Sequence, residues 1–240
     1  PHHSTSLVAM VGGGTSSLRP GEISLATNGV LFLDELGEFA PSVLDALRQP
    51  LEEGVVRVAR AKSSVQLPAK FLLVAATNPC PCGEGTPGLC VCDDRAKQKY
   101  LRRFSGPLLD RFDLRVAVTR PHVDELLAAK PAESSKDIAL RVATARELAI
   151  SRNGCLNSAL SADALEKCAP LSPAAASLLR HHVERGRLSG RGYHRIRRVA
   201  RTVSDLRDQS ECVDEVHVAV ALALRVGVQP QFSGDKVVQA

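Results

Sequence analysis

The stretch GVLFLDELGEF, residues 29–39, constrains the fold more than any other part of the chain. Four apolar residues, Val30 to Leu33, run straight into two adjacent carboxylates, Asp34 and Glu35. A short apolar run opened by a glycine predicts a buried strand of a parallel sheet, which in turn requires crossover helices to cover it. Buried strands rarely end in two acids unless a cation or an activated water sits there. A second apolar run, FLLVAAT at 71–77, ends at Asn78, and LRVAVT at 114–119 reads as a third strand. Between the first two, PSVLDALRQPLEEG predicts one helix with Pro41 in its first turn, a stripe of Val43, Leu44, Leu47 and Leu51, and a stop at Gly54. VVRVARAKSSVQLPAKF alternates apolar and polar residues on both sides of AKSS, the pattern of a β-hairpin.

After a Pro- and Ser-bearing stretch near residues 130–135 the texture becomes helical, with helices expected at 135–151, 161–169, 173–186, 190–207 and 213–226. The organisation is therefore an α/β part over 1–130, a helical part over 131–227 and a polar tail over 228–240. Within the helix at 190–207, Ile196, Val199, Ala200, Val203 and Leu206 form the expected buried face, and the arginines between them read as a surface charge stripe.

Charge narrows the partners. The chain carries a net charge of +5, and nine arginines between Arg180 and Arg207 are opposed only by Glu184 and Asp205. Such a cluster fits a nucleotide or nucleic-acid partner, with a solvated basic face as the alternative. No apolar run approaches the ~18 residues of a membrane span, so no membrane partner and a cytoplasmic location are expected.

The chemistry rests on a few positions. A carboxylate closing a buried strand can hold Mg²⁺, usually through water, while its neighbour polarises an attacking water. That makes Asp34 the metal-side residue and Glu35 the catalytic base; two solvated acids at a strand end are the plain alternative. The Asn78 amide, closing the next strand, could orient a water against a γ-phosphate. Arg111, in SGPLLDRFDL, could stabilise transition-state charge on a neighbouring subunit's nucleotide, or pair locally with Asp110 or Asp113. CPCGEGTPGLCVC places Cys80, Cys82, Cys90 and Cys92 in one tight loop, 80–92, and four thiolates so gathered suit a closed tetrahedral Zn²⁺ site. A reduced, unliganded loop is the alternative. Of the remaining cysteines, Cys168 and Cys212 read as buried thiols. His2 and His3 invite a metal or catalytic reading, but no third ligand lies near them in the sequence.

GEISLATNGVLFLDELGEF, LPAKFLLVAATNPCPCG, SGPLLDRFDL and LSGRGYHRIRRVARTVSDL, in this order, resemble the magnesium-chelatase-like AAA+ ATPases of the ComM/YifB family. The resemblance implies a partial AAA+ P-loop ATPase core, a parallel sheet with helices, followed by an all-α lid domain. It implies Walker B roles for Asp34 and Glu35, a sensor 1 role for Asn78, an arginine finger at Arg111 and a sensor 2 role for Arg191. It also implies that the 55–70 hairpin faces a central pore, where Arg57, Arg60 and Lys62 would contact DNA phosphates. The expected cofactors are ATP, Mg²⁺ and structural Zn²⁺, and the expected partners are DNA and copies of the chain in a hexameric ring.

One departure qualifies this. None of the seventeen glycines precedes a lysine, so no G-x-x-x-x-G-K-[ST] loop is present. In the family that loop lies upstream of a block similar to PHHSTS, residues 1–6. The expectation is a fragment of a longer ATPase that alone binds ATP weakly or not at all. An ATP-dependent branch-migration factor in recombination or transformation is the first functional expectation. A magnesium-chelatase motor subunit for porphyrin metallation is the second, and a non-catalytic zinc-stapled remnant binding DNA or a partner is the third.

Overall fold

A computed structural model of the chain describes residues 1–14, 17–60, 63–85, 89–118 and 133–226. Lys62, the 130–132 part of the expected boundary and the expected tail at 228–240 lie outside the described residues, as does the Arg60 side chain. The chain forms two compact units, Pro1–Phe112 and Asp113–Ala240.

The first unit begins with helix α1 (Leu7–Val11), a short antiparallel pair β1 (Gly12–Gly13) and β2 (Arg19–Pro20), and helix α2 (Glu22–Leu25). Strand β3 (Val30–Leu33) follows, then helices α3 (Pro41–Ala46) and α4 (Arg48–Glu53), the antiparallel pair β4 (Val55–Arg60) and β5 (Ser63–Pro68), and strand β6 (Leu72–Ala75). Helices α5 (Asp94–Leu101) and α6 (Gly106–Leu109) close the unit. β3 and β6 pair in parallel with Val30 opposite Leu72 and Leu33 opposite Ala75. Their core is built by Met10, Ile23, Leu31, Leu33, Phe39, Val43, Leu44, Leu47 and Leu108.

The structure departs from the sequence reading at several points. The helix expected after Pro41 is two helices, because Pro50 has no N–H to donate to Ala46 and its ring would collide with that carbonyl. A fresh start at Arg48 puts Pro50 in a first turn, where neither cost arises. Gly54 (φ +67°) then ends α4 in the left-handed conformation that a C-terminal glycine supplies without strain. β3 buries only Leu31 and Leu33; Val30 and Phe32, with Leu72 and Val74 of β6, face outward and are exposed. Successive strand side chains point to opposite faces, and among the described residues only one face of this pair meets a core. Residues 114–118 form no strand: the segment has no ladder partner among the described residues, and the Arg115 N–H donates to the Leu224 carbonyl at 2.6 Å.

The second unit is helical: α7 (Ser135–Asn153), α8 (Ala162–Cys168), α9 (Pro173–Glu184), α10 (Gly190–Arg207) and α11 (Glu215–Val226). Ser134, Ser161, Ser172 and Ser189 each cap a helix by accepting from the N–H three residues on, which satisfies a donor the helix itself cannot. Leu165, Leu179, Ile196, Ala200, Val213, Val218 and Ala221 form its core.

Leu206 is 41% exposed, whereas Arg197 and Arg201 are each 1% exposed. Arg197 bonds Glu166 and donates to the carbonyls of Leu165 (3.0 Å) and Ala169 (2.9 Å). Arg201 donates to Asp205 (2.7 Å) and to the carbonyls of Ser210 (2.7 Å) and Glu211 (2.9 Å). The arginine stripe is thus in part a buried, hydrogen-bonded network, because carboxylates and helix-end carbonyls converge on it. Cys212 is exposed and Cys168 half-buried, so neither is a fully buried thiol.

Candidate functional site

The parallel register carries the chain beyond both strands toward one edge of the pair. Ala76 N–H donates to the Leu33 carbonyl at 2.9 Å, and Leu36 N–H donates to the Ala76 carbonyl at 2.8 Å. The Asp34–Glu35 turn is therefore tied to the segment that leads directly into Asn78. Crevices outside the carboxyl ends of parallel strands are where α/β folds bind ligands.

The turn has an unusual backbone. Glu35 adopts φ 50° and ψ 46°, the left-handed region that costs a non-glycine residue energy and is held only by surrounding structure. Its N–H donates to Asp34 Oδ1 at 2.9 Å, which uses one oxygen of Asp34 and leaves the exposed carboxylate able to meet a hydrated cation. The Glu35 carboxylate Oε2 lies 2.9 Å from His3 Nδ1.

Residues with no assigned role in the sequence reading support this edge. Tyr100, buried in α5, exchanges a hydrogen bond with Thr77 at 3.0 Å, immediately before Asn78. The Tyr100 ring also packs on Gly37 so closely that a side chain there would collide with it. Arg103 donates to the Gly37 carbonyl and to Glu38 at 3.2 Å. One element thus braces both the turn after the acids and the strand end before the amide. Asp93 caps α5 by accepting from Ala96 N–H at 2.6 Å, and an acid ahead of a helix-forming run was the sequence signal for this helix.

The cysteine loop lies between Asn78 and α5. The Sγ atoms of Cys80, Cys82, Cys90 and Cys92 all lie within 4.8 Å of one another, and the Cys80–Cys82, Cys80–Cys90 and Cys82–Cys90 separations are 3.4, 3.6 and 3.7 Å. A tetrahedral site with Zn–S bonds of about 2.3 Å has sulfurs about 3.8 Å apart, so this donor set fits a metal ion. Disulfides need about 2.0 Å between sulfurs, and these thiols are free. Gly83 (φ +81°) and Gly85 (φ +60°) make the bend, and at Gly85 any side chain would run into the Pro79 ring. Hydrogen bonds from the Glu84 backbone N–H and then the Cys80 thiol pull Cys82 down to about 6, whereas burial pushes Cys92 up to about 12.

Arg111, its side chain 12% exposed, bonds Glu52 and donates to the carbonyls of Arg48 (2.9 Å) and Pro107 (2.5 Å). Glu52 is thus an acidic partner of Arg111, and Asp113 pairs with Arg195 at 2.6 Å. Arg57 projects from β4, half-exposed, and pairs with Glu53 at 2.7 Å. Arg191 is an exposed residue in the first turn of α10. No helix among the described residues is long and apolar enough to cross a membrane.

Residues 1–126 match the family model described as magnesium chelatase, subunit ChlI, and residues 132–225 match the one for its C-terminal region. The competence protein ComM of Haemophilus influenzae is 44% identical over 230 residues, 95% of this chain and 45% of that protein. YifB of Escherichia coli is 42% identical over 226 residues, 94% of this chain and 44% of that protein. A protein of Mycobacterium tuberculosis is 46% identical over 230 residues, with 94% of this chain and 45% of that protein covered. The chain thus spans less than half the length of these relatives.

Proposed function

The chain belongs to the magnesium-chelatase-like ComM/YifB family, and from that membership we propose that it is part of an ATP-hydrolysing, ring-forming motor that acts on DNA. The observation that carries the reading is the pairing of β3 with β6, which ties the Asp34–Glu35 turn to the segment leading into Asn78. In this reading Asp34 holds the water shell of Mg²⁺, Glu35 takes a proton from the attacking water, and Asn78 orients that water. Magnesium, when bound, neutralises charge on the phosphates. Arg111 serves a neighbouring subunit's nucleotide, which requires it to give up Glu52. Arg191, as sensor 2, reaches the nucleotide of its own subunit. Arg57, with Arg60 and Lys62, meets the phosphates of DNA, a reading supported by the basic character of this hairpin. The four-cysteine loop holds structural zinc, a closed site whose role is to stiffen the connection between Asn78 and α5.

The test is ATP hydrolysis and DNA branch migration by the full-length protein. Glu35→Gln is expected to abolish hydrolysis while sparing ATP binding, and Arg111→Ala to abolish hydrolysis in the assembled form. Hydrolysis at the parental rate in both variants refutes the assignment. The family models favour one second reading, a chelatase motor subunit. ATP-dependent metal insertion into a porphyrin, without any effect of DNA, would select it.

A further inference from the structure

Residues 1–6, PHHSTS, form a hydrogen-bonded turn beside the proposed catalytic base. Thr5 N–H donates to the His2 carbonyl at 2.9 Å, and Ser6 caps α1 by accepting from Ala9 N–H at 3.2 Å. α1 is anchored in turn by Met10, which is fully buried in the core. The His2 ring accepts at Nδ1 from Ser4 N–H at 3.2 Å and meets Ser4 Oγ at 2.8 Å. That ring lies 4.0 Å from the ring of His3, centroid to centroid, and tilted by 36°. His3 is thereby aimed by its neighbours, and its Nδ1 ends 2.9 Å from Glu35 Oε2.

Glu35 needs such a partner. Its left-handed backbone throws the side chain out of the line of β3, and the side chain is 54% exposed. A long exposed carboxylate samples several rotamers, whereas a general base must stay within hydrogen-bond reach of one water. The contact uses Oε2 and leaves Oε1 for that water.

We propose that His3 is a positioning residue for Glu35, its Nδ1–H holding the carboxylate in the rotamer from which it acts as base. The inference rests on the reading of Glu35 as the base in ATP hydrolysis. In that step the water oxygen forms a bond to the γ-phosphorus as its O–H bond breaks. The proton passes to Glu35 Oε1, and the bond from the γ-phosphorus to the bridging oxygen breaks, its electron pair leaving with ADP. His3 exchanges no proton; it fixes where the acceptor oxygen stands.

The experiment measures kcat and KM for ATP hydrolysis by the full-length protein carrying His3→Ala, His3→Asn, His3→Gln or Glu35→Gln, with melting temperatures alongside. Asparagine places its Nδ2 donor close to the position of His3 Nδ1, whereas glutamine carries its donor one bond farther out. His3→Ala and His3→Gln should lower kcat roughly tenfold or more with KM unchanged, since a misplaced base forfeits part of the 10²–10⁴-fold it contributes. His3→Asn should retain most of the turnover. Parental kcat in His3→Ala, a change confined to KM, or equal losses in the asparagine and glutamine variants would overturn the proposal. If His3→Ala does not fold, the asparagine–glutamine comparison decides alone. An inactive Glu35→Gln beside a fully active His3→Ala sinks only the positioning role, while an active Glu35→Gln sinks the base itself.

Discussion

Replacing Asp205 tests the densest polar cluster in the helical unit. Asp205 is 3% exposed and accepts from Arg152 Nη1 and Nη2 (both 2.8 Å), Arg201 Nε (3.1 Å) and Nη2 (2.7 Å), and Asn157 Nδ2 (2.7 Å). Asp205→Asn keeps the shape, removes the charge and turns an amide donor toward guanidinium donors. Breaking a buried pair by removing one partner costs about 3–5 kcal/mol, because the other charge stays buried and uncompensated. The carbonyls of Ser210 and Glu211 still engage Arg201, which places the expected loss near the lower end, about 3 kcal/mol. At about 4 °C per kcal/mol for a unit of this size, the melting temperature should fall by about 12 °C.

The pH dependence supplies a second arm. Burial alone would raise the Asp205 carboxyl, but hydrogen bonds from Arg152, Asn157 and Arg201 outweigh it and hold it below the usual carboxylate range. A depressed folded-state value means the unfolded chain takes up the proton first as pH falls. The stabilisation is therefore complete above the unfolded value of about 4 and is lost as pH drops through the folded one. Urea unfolding followed by helix circular dichroism should show a constant deficit for Asp205→Asn from neutral pH to about pH 5 and a narrowing one below about pH 4. A loss under about 1 kcal/mol at neutral pH, or a deficit that widens on acidification, refutes the argument. Pairing Asp205→Leu with Arg201→Met should recover part of the loss, since apolar replacements leave fewer buried charges unpaired.

Metal analysis of the purified protein is expected to find about one zinc per chain, and Cys82→Ser to reduce it; a metal-free parent protein would dismiss the site. Gly37→Ala should cost about 1–3 kcal/mol, because the added methyl displaces the Tyr100 ring and with it the Thr77 hydrogen bond. An unchanged melting curve would show that Tyr100 does not brace the turn. Arg57→Ala should weaken DNA binding evenly across sequences and lower the slope of log affinity against log salt by roughly 1. An unaltered slope would remove Arg57 from the phosphate contacts.

Much of the local architecture is legible along the chain. The run before Asp34 specifies a strand, the alternation around residues 55–68 specifies a hairpin, and a serine stands ahead of α7, α8, α9 and α10 where each helix begins. The four cysteines announce their own proximity, because so few residues separate them that one bend brings them together. These features depend on dihedral preference, side-chain period and capping, all set by neighbours within a few residues. Even the break in the expected helix after Pro41 is local, since Pro50 alone forbids the continuous form.

Other features depended on partners far along the chain. Nothing near Arg197 distinguishes it from Arg191, yet the first is buried and the second exposed. Burial of a guanidinium is tolerated only where remote segments deliver acceptors, and Glu166 and the Ala169 carbonyl do so for Arg197. Likewise nothing along the chain pairs Glu35 with His3; the end of β3 and the turn before α1 place them 2.9 Å apart. Local sequence dictates which residues can form strands, helices, a metal loop and an acid pair. Which charges meet is settled by long-range packing, because the energy of a buried or catalytic charge is set by whatever distant groups the fold brings within hydrogen-bond reach.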